Sequence, residues 1–105
     1  MIFTPLQLEQ AWLIDIEPKK DERGFFARTW CRNGLAARGL DTAIAQESIS
    51  LNRRRGTLRR FHFQRAPHGE IKSVSCTRGT VFDVILDLRP HSPTSFAMGS
   101  DRTNH

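Results

Sequence analysis

The chain has 105 residues, with 16 Lys and Arg against 11 Asp and Glu, a formal charge of +5. That length limits it to one compact domain, and its longest unbroken apolar run, Ala11-Trp12-Leu13-Ile14, excludes a membrane-crossing helix, which needs roughly 20 apolar residues. A sequence pI near 10.2 points to an anionic partner, whether nucleic acid, a membrane surface or a phosphorylated small molecule.

The opening residues, Met1-Ile2-Phe3-Thr4-Pro5, lack the basic stretch and long apolar run of a secretory signal, so a cytoplasmic protein is expected. The first strand is predicted at Trp12–Ile16 and the second at Phe25–Trp30. Between Gly34 and Gly39 the residues Leu35, Ala36 and Ala37 suffice for one or two helical turns within Arg32–Arg38. Further strands are predicted at Ala43–Leu51, Thr57–Gln64, Ile71–Cys76 and Thr80–Leu88, separated by Gly and Pro at turn spacing. In the last of these, Val81, Asp83, Ile85 and Asp87 share one face while Phe82, Val84, Leu86 and Leu88 share the other, which is expected to face a core. The segment 95–105 has no period and ends in polar residues, so an unstructured tail is predicted.

Six short strands without a long helix predict an all-β domain, a sandwich or a barrel such as a jelly roll. With only 38 % apolar residues the core is thin, and a chain this short gains from a partner subunit. Cys31 and Cys76 fit neither a disulfide framework nor a C-x-x-C pair and read as unreactive thiols.

Chemistry concentrates in Gly56-Thr57-Leu58-Arg59-Arg60-Phe61-His62-Phe63-Gln64. A glycine followed after five residues by a histidine opens the first cupin motif, whose second histidine would bind a metal jointly with the first. Gln64 stands at that second position, and an amide is a poor ligand for a transition metal, so no metal and no cofactor are expected. No acidic residue lies between Ser48 and Gly69, while Arg59, Arg60 and Lys72 flank His62 in sequence, a combination suited to an anion. The triplet Arg53-Arg54-Arg55 reads as a solvated turn, and nucleic-acid binding is disfavoured because no recognised motif accompanies it.

These residues, together with Asp21-Glu22-Arg23-Gly24-Phe25-Phe26, Gln46, Pro67 to Lys72, Gly79, Asp83 to Arg89 and Ser92-Pro93-Thr94, resemble the dTDP-4-dehydrorhamnose 3,5-epimerase family in order and spacing. The resemblance runs over residues 1–94 and implies the N-terminal part of a metal-free, cupin-like jelly-roll barrel, left incomplete by truncation. It implies further a homodimer formed by exchange of N-terminal strands and, as substrate, dTDP-4-keto-6-deoxyglucose on the route to dTDP-L-rhamnose.

Carried over by position, the resemblance implies that His62 is the base that removes the protons on carbons 3 and 5, because a histidine is partly neutral at working pH. Lys72 would stabilise the enolate oxygen. Arg23 and Arg59 would hold the nucleotide's phosphates, and Gln46 would hydrogen-bond the substrate. Asp83 is a candidate carboxylate for orienting His62, and for Asp83 and Asp87 alike the plainer reading is structural hydrogen bonding.

Strict alternation would put Arg59 and His62 on opposite faces, whereas the resemblance implies that both serve one site, so a bend is expected between them, at Arg60, where the family has glycine. Arg28 and Ser48 replace a glutamate and an asparagine of the family. The family's tyrosine proton donor and the aspartate that pairs with the histidine lie beyond the resemblance, and this sequence contains no tyrosine. Two functional expectations follow: an epimerase impaired by truncation, or a non-catalytic remnant that binds sugar nucleotide or pairs with full-length subunits.

Overall fold

The computed structural model describes residues 1–104. It contains six strands and one short helix: β1 (Ile2–Pro5), β2 (Trp12–Asp15), β3 (Lys19–Asp21), β4 (Gly24–Phe26), α1 (Arg32–Ala36), β5 (Thr80–Leu86) and β6 (Met98–Asn104). The protein is therefore all-β in class. The strands form three separate antiparallel pairs, β1–β2, β3–β4 and β5–β6, and no closed barrel is present among the described residues.

Two of the predicted strands, at Trp12–Ile16 and Thr80–Leu88, coincide with β2 and β5, and the helical turns fall where glycine and alanine spacing put them. The tail does not fray as expected: Met98–Asn104 pairs along the whole of β5, from Leu86 opposite Met98 to Thr80 opposite Asn104. The hairpin supplies the reason, since just beyond the ladder the Asp87 N–H donates to the Ala97 carbonyl and the Asp87 carbonyl accepts from the Phe96 N–H, which holds the returning chain in register. Periodicity missed the strand because its residues are small or polar, and its regularity comes from the partner.

The predicted strands at Ala43–Leu51, Thr57–Gln64 and Ile71–Cys76 are irregular here. A strand is stable only when its backbone groups find a ladder, and none of these segments has a neighbour to pair with. Their apolar side chains remain outside, with Ile49 88 % and Leu58 85 % exposed. The core face expected on β5 is likewise uncovered: Phe82 is 62 % exposed, while Val84 and Leu86 are half-buried.

What core exists joins the two ends of the chain. Leu8 and Leu35 are its buried apolar side chains. Leu8 lies against Gly99 of β6, where an added Cβ would stand 3.3 Å from Leu8 Cδ1, so glycine permits this close approach. Gly34 does the same for helix α1, which meets the Phe3 ring of β1. The helix is fastened further by Arg38, whose guanidinium stacks 3.7 Å from the Phe3 ring centroid and donates to the Gly34 carbonyl.

Candidate functional site

The strongest polar constellation lies at the end of β5. Asp87, 5 % exposed, accepts hydrogen bonds from Arg89 Nε and Nη2, from Ser92 Oγ and from Thr94 Oγ1, all within 2.6–2.9 Å, and from the Arg89 backbone N–H. Arg89 then reaches across to the β1–β2 connection, donating to Gln10 Oε1 at 2.8 Å and to the Glu9 carbonyl at 2.7 Å. Thr94 completes the tie by accepting from the Glu9 N–H. The Arg89 guanidinium, followed by the Ser92 hydroxyl, holds the Asp87 carboxyl far below the usual carboxylate range.

Asp87 therefore has the structural role of the two that its sequence allowed, since all its lone-pair directions are spent on the 87–94 turn. The signal was present in the spacing: an aspartate followed by donors at the second, fifth and seventh positions is a carboxylate wrapped by its own turn.

The residues expected to carry chemistry lie elsewhere, on exposed chain. Arg23 is at the tip of the β3–β4 hairpin, its side chain 85 % exposed and paired with Asp21 at 2.8 Å. That pairing, a side-chain bond from Arg23 above all, lowers the pKa of Asp21. Gln46 is exposed in irregular chain. Arg59 donates through Nε to Asn52 Oδ1 at 2.7 Å, and Lys72 forms an ion pair with Glu70 at 3.2 Å. Asp83 is half-buried on β5, directly across the ladder from Asp101.

His62 is exposed, and its Nε2 lies 3.1 Å from the carbonyl oxygen of Arg59. A carbonyl only accepts, so Nε2 carries the proton and Nδ1 keeps a lone pair in the neutral ring. The bond requires the chain to turn back between residues 59 and 62, and it does so at Arg60, whose φ is +30°. The bend expected at this position is present, with arginine in the left-handed region that favours glycine.

Proximity in sequence has not become a pocket. Of two open grooves, one is lined by residues such as Leu6, Gln10, Trp12 and Thr94 and the other by Gln10, Arg89 and Pro93, and neither contains His62, Lys72, Arg23, Gln46 or Arg59. His62 and Lys72 each hold a partner within their own segment rather than each other. Among the described residues no three His, Cys, Asp or Glu side chains are grouped to hold a metal ion, and no helix is long and apolar enough to cross a membrane.

Comparison with known proteins fills in what the open geometry leaves out. A family model described as dTDP-4-dehydrorhamnose 3,5-epimerase matches residues 5–100, six residues beyond the point where the resemblance was expected to stop. The chain is similar to a Streptomyces griseus protein named dTDP-4-dehydrorhamnose 3,5-epimerase, with 40 % identity over 86 % of this chain and 45 % of the relative. It is similar also to a Streptomyces niveus dTDP-4-dehydrorhamnose 3-epimerase, at 41 % identity over 90 % of this chain and 45 % of the relative. A third relative, a dTDP-4-dehydrorhamnose 3,5-epimerase of Methanothermobacter thermautotrophicus, is 39 % identical over 88 % of this chain and 49 % of its own length. The chain thus spans about half the length of the curated relatives it matches. No solved structure matches it.

Proposed function

The chain belongs to the dTDP-4-dehydrorhamnose 3,5-epimerase family, and on that premise we propose that it supplies the base-bearing part of a cofactor-independent sugar-nucleotide epimerase site. The observation that carries this reading is the family match over residues 5–100, which spans Arg23, Gln46, Arg59, His62, Lys72 and Asp83. The proposed substrate is dTDP-4-keto-6-deoxyglucose, and the proposed setting a cupin-like jelly roll of a cytoplasmic homodimer that exchanges N-terminal strands. The unpaired outer edges of the two-stranded β1–β2 sheet are suited to such an exchange.

In the proposed reaction the Nδ1 lone pair of His62 takes the proton from carbon 3, and in a second round from carbon 5. Each of these C–H bonds is acidified by the neighbouring 4-keto group. The electron pair of the broken bond moves onto the ketone oxygen as an enolate, and the Lys72 ammonium offsets that charge. Arg23 and Arg59 hold the diphosphate through their forked donors, and Gln46 hydrogen-bonds the sugar nucleotide. Asp83 is proposed as the positioning carboxylate for His62. Inversion is completed when a proton returns from the opposite face, and no residue of this chain is assigned to that delivery.

A second reading is favoured by the exposure of His62 and of the three binding residues, Arg23, Gln46 and Arg59: the chain binds sugar nucleotide, or pairs with full-length subunits, without turning substrate over. Incubation with dTDP-4-keto-6-deoxyglucose in deuterated water separates the two. Deuterium entering carbons 3 and 5, abolished by His62→Ala and slowed at least ~100-fold by Lys72→Ala, is the result expected of the catalytic reading. Calorimetric binding of the nucleotide sugar with no exchange above background would establish the second.

A further inference from the structure

The positive charge of the chain is gathered in one stretch. Arg53, Arg54, Arg55, Arg59, Arg60 and Arg65 fall within thirteen residues, and no Asp or Glu lies between Ser48 and Gly69. The rest of the chain carries ten Lys and Arg against eleven Asp and Glu, so this segment accounts for the whole excess. Every residue from 51 to 70 is exposed. Arg23, Lys72 and Arg89 each sit on a carboxylate, whereas none of the six arginines forms an ion pair among the described residues.

Local structure keeps these guanidinium groups open. The triplet Arg53-Arg54-Arg55 leads into a turn in which Gly56 has φ +76° and the Thr57 hydroxyl donates to the Arg54 carbonyl at 2.8 Å. That turn is the one expected from sequence, and no acidic side chain neutralises it. Arg59 spends only Nε, on the neutral Asn52 Oδ1. Arg65 lies over the Phe63 ring, its guanidinium 6.0 Å from the centroid. Phe61 and Phe63 are themselves 62 and 61 % exposed among the arginines.

We propose that segment 53–65 binds single-stranded nucleic acid, its guanidinium groups on the phosphates and Phe61 and Phe63 as stacking platforms for bases. Crowded, unpaired arginines repel one another, and a polyanion that sheds its condensed counterions on binding relieves that repulsion. Forked guanidinium donors match phosphate oxygens. A duplex is read by a helix or strand ribbon laid in a groove, and this segment is neither, while irregular chain with exposed rings suits unstacked bases. A lipid surface selects an apolar face separated from a basic one, and here the rings are interleaved with the charges. The proposal does not rest on the epimerase reading, and Arg59 is the one arginine that the two share.

The test titrates the 105-residue chain against a fluorescein-labelled 20-nucleotide oligothymidylate by anisotropy between 50 and 200 mM KCl, with inorganic polyphosphate and phosphatidylserine vesicles as separate arms. Four to six phosphate contacts give a slope of log affinity against log salt of about −3 to −4, a weakening of about 60–250-fold over that range. Replacing Arg53, Arg54 and Arg55 together by serine should make the slope shallower by about 2, whereas Lys19→Ser with Lys20→Ser, outside the segment, should leave it unchanged. Phe61→Leu with Phe63→Leu should weaken oligothymidylate at least ~10-fold and leave polyphosphate binding as it was. The proposal is overturned by a slope shallower than about −1, or by an equal loss in the lysine variant. It is equally overturned if polyphosphate or the vesicles bind as tightly as the oligonucleotide at the same salt. Deuterium exchange into the nucleotide sugar without oligonucleotide binding would refute this proposal and leave the epimerase reading standing.

Discussion

Replacing Thr94 by valine keeps the β-branched shape and removes one hydroxyl, which makes it the cleanest probe of the tie between the chain's two ends. That hydroxyl donates to Asp87 Oδ2 at 2.8 Å and accepts from the Glu9 N–H at 2.9 Å, joining residues 85 positions apart. A hydrogen bond to an ionised acceptor contributes about 1.5–3 kcal/mol in a dry site. Thr94 is half-buried, so water replaces part of the lost bonding and the expected cost is about 1–2 kcal/mol. For a domain of this size that corresponds to a fall in melting temperature of about 4–16 °C. Thr94→Ser restores the oxygen and should stay within about 0.5 kcal/mol of the parent. Urea titrations followed by far-ultraviolet circular dichroism measure both. If Thr94→Val unfolds with the parent, or if the serine variant is as weak as the valine one, the hydroxyl does not bridge the two ends and the account of the 87–94 turn is wrong.

Three further outcomes are expected. Because Asp87 titrates below its unfolded value near 4, the unfolded chain takes up protons first as pH falls. Stability should therefore be level above about pH 5 and decline progressively below about pH 4, and Asp87→Asn should flatten that decline in pH-dependent urea midpoints. Arg60→Gly relieves a left-handed residue that costs about 1–2 kcal/mol, and glycine returns part of this through its freer unfolded state. The chain should then gain about 0.5–1 kcal/mol in urea unfolding, with Arg60→Ala giving no gain. Asp83 faces Asp101 across the β5–β6 ladder, and like charges directly opposed are unfavourable. Asp101→Lys should therefore raise the melting midpoint by the equivalent of about 0.2–1 kcal/mol, and an unchanged or lower midpoint would refute the register.

What the sequence made legible around the candidate site is where the physics is local. The turn at Arg60 was legible because the resemblance puts Arg59 and His62 in one site while strict alternation would separate them, and Arg60 has the positive φ of a turn. Asp87 was ambiguous in sequence because an aspartate on a strand serves equally as an orienting carboxylate or as the acceptor of its own turn. Only the positions of Arg89, Ser92 and Thr94 around it decide between them. The strand at Met98–Asn104 was invisible because its regularity is borrowed from β5, a non-local property.

By itself the sequence determined the all-β class, the short helix, the place of β2 and β5 and the family to which the chain belongs, all of which rest on residue type at short spacing. Tertiary structure alone decided which of the strand-like segments become strands. A ladder needs a neighbour as well as a propensity, so 43–51, 57–64 and 71–76 stay irregular while a polar segment without periodicity is ordered by its partner. The same reason leaves His62 in the open: the motif specifies the imidazole, and its segment pairs with no strand among the described residues.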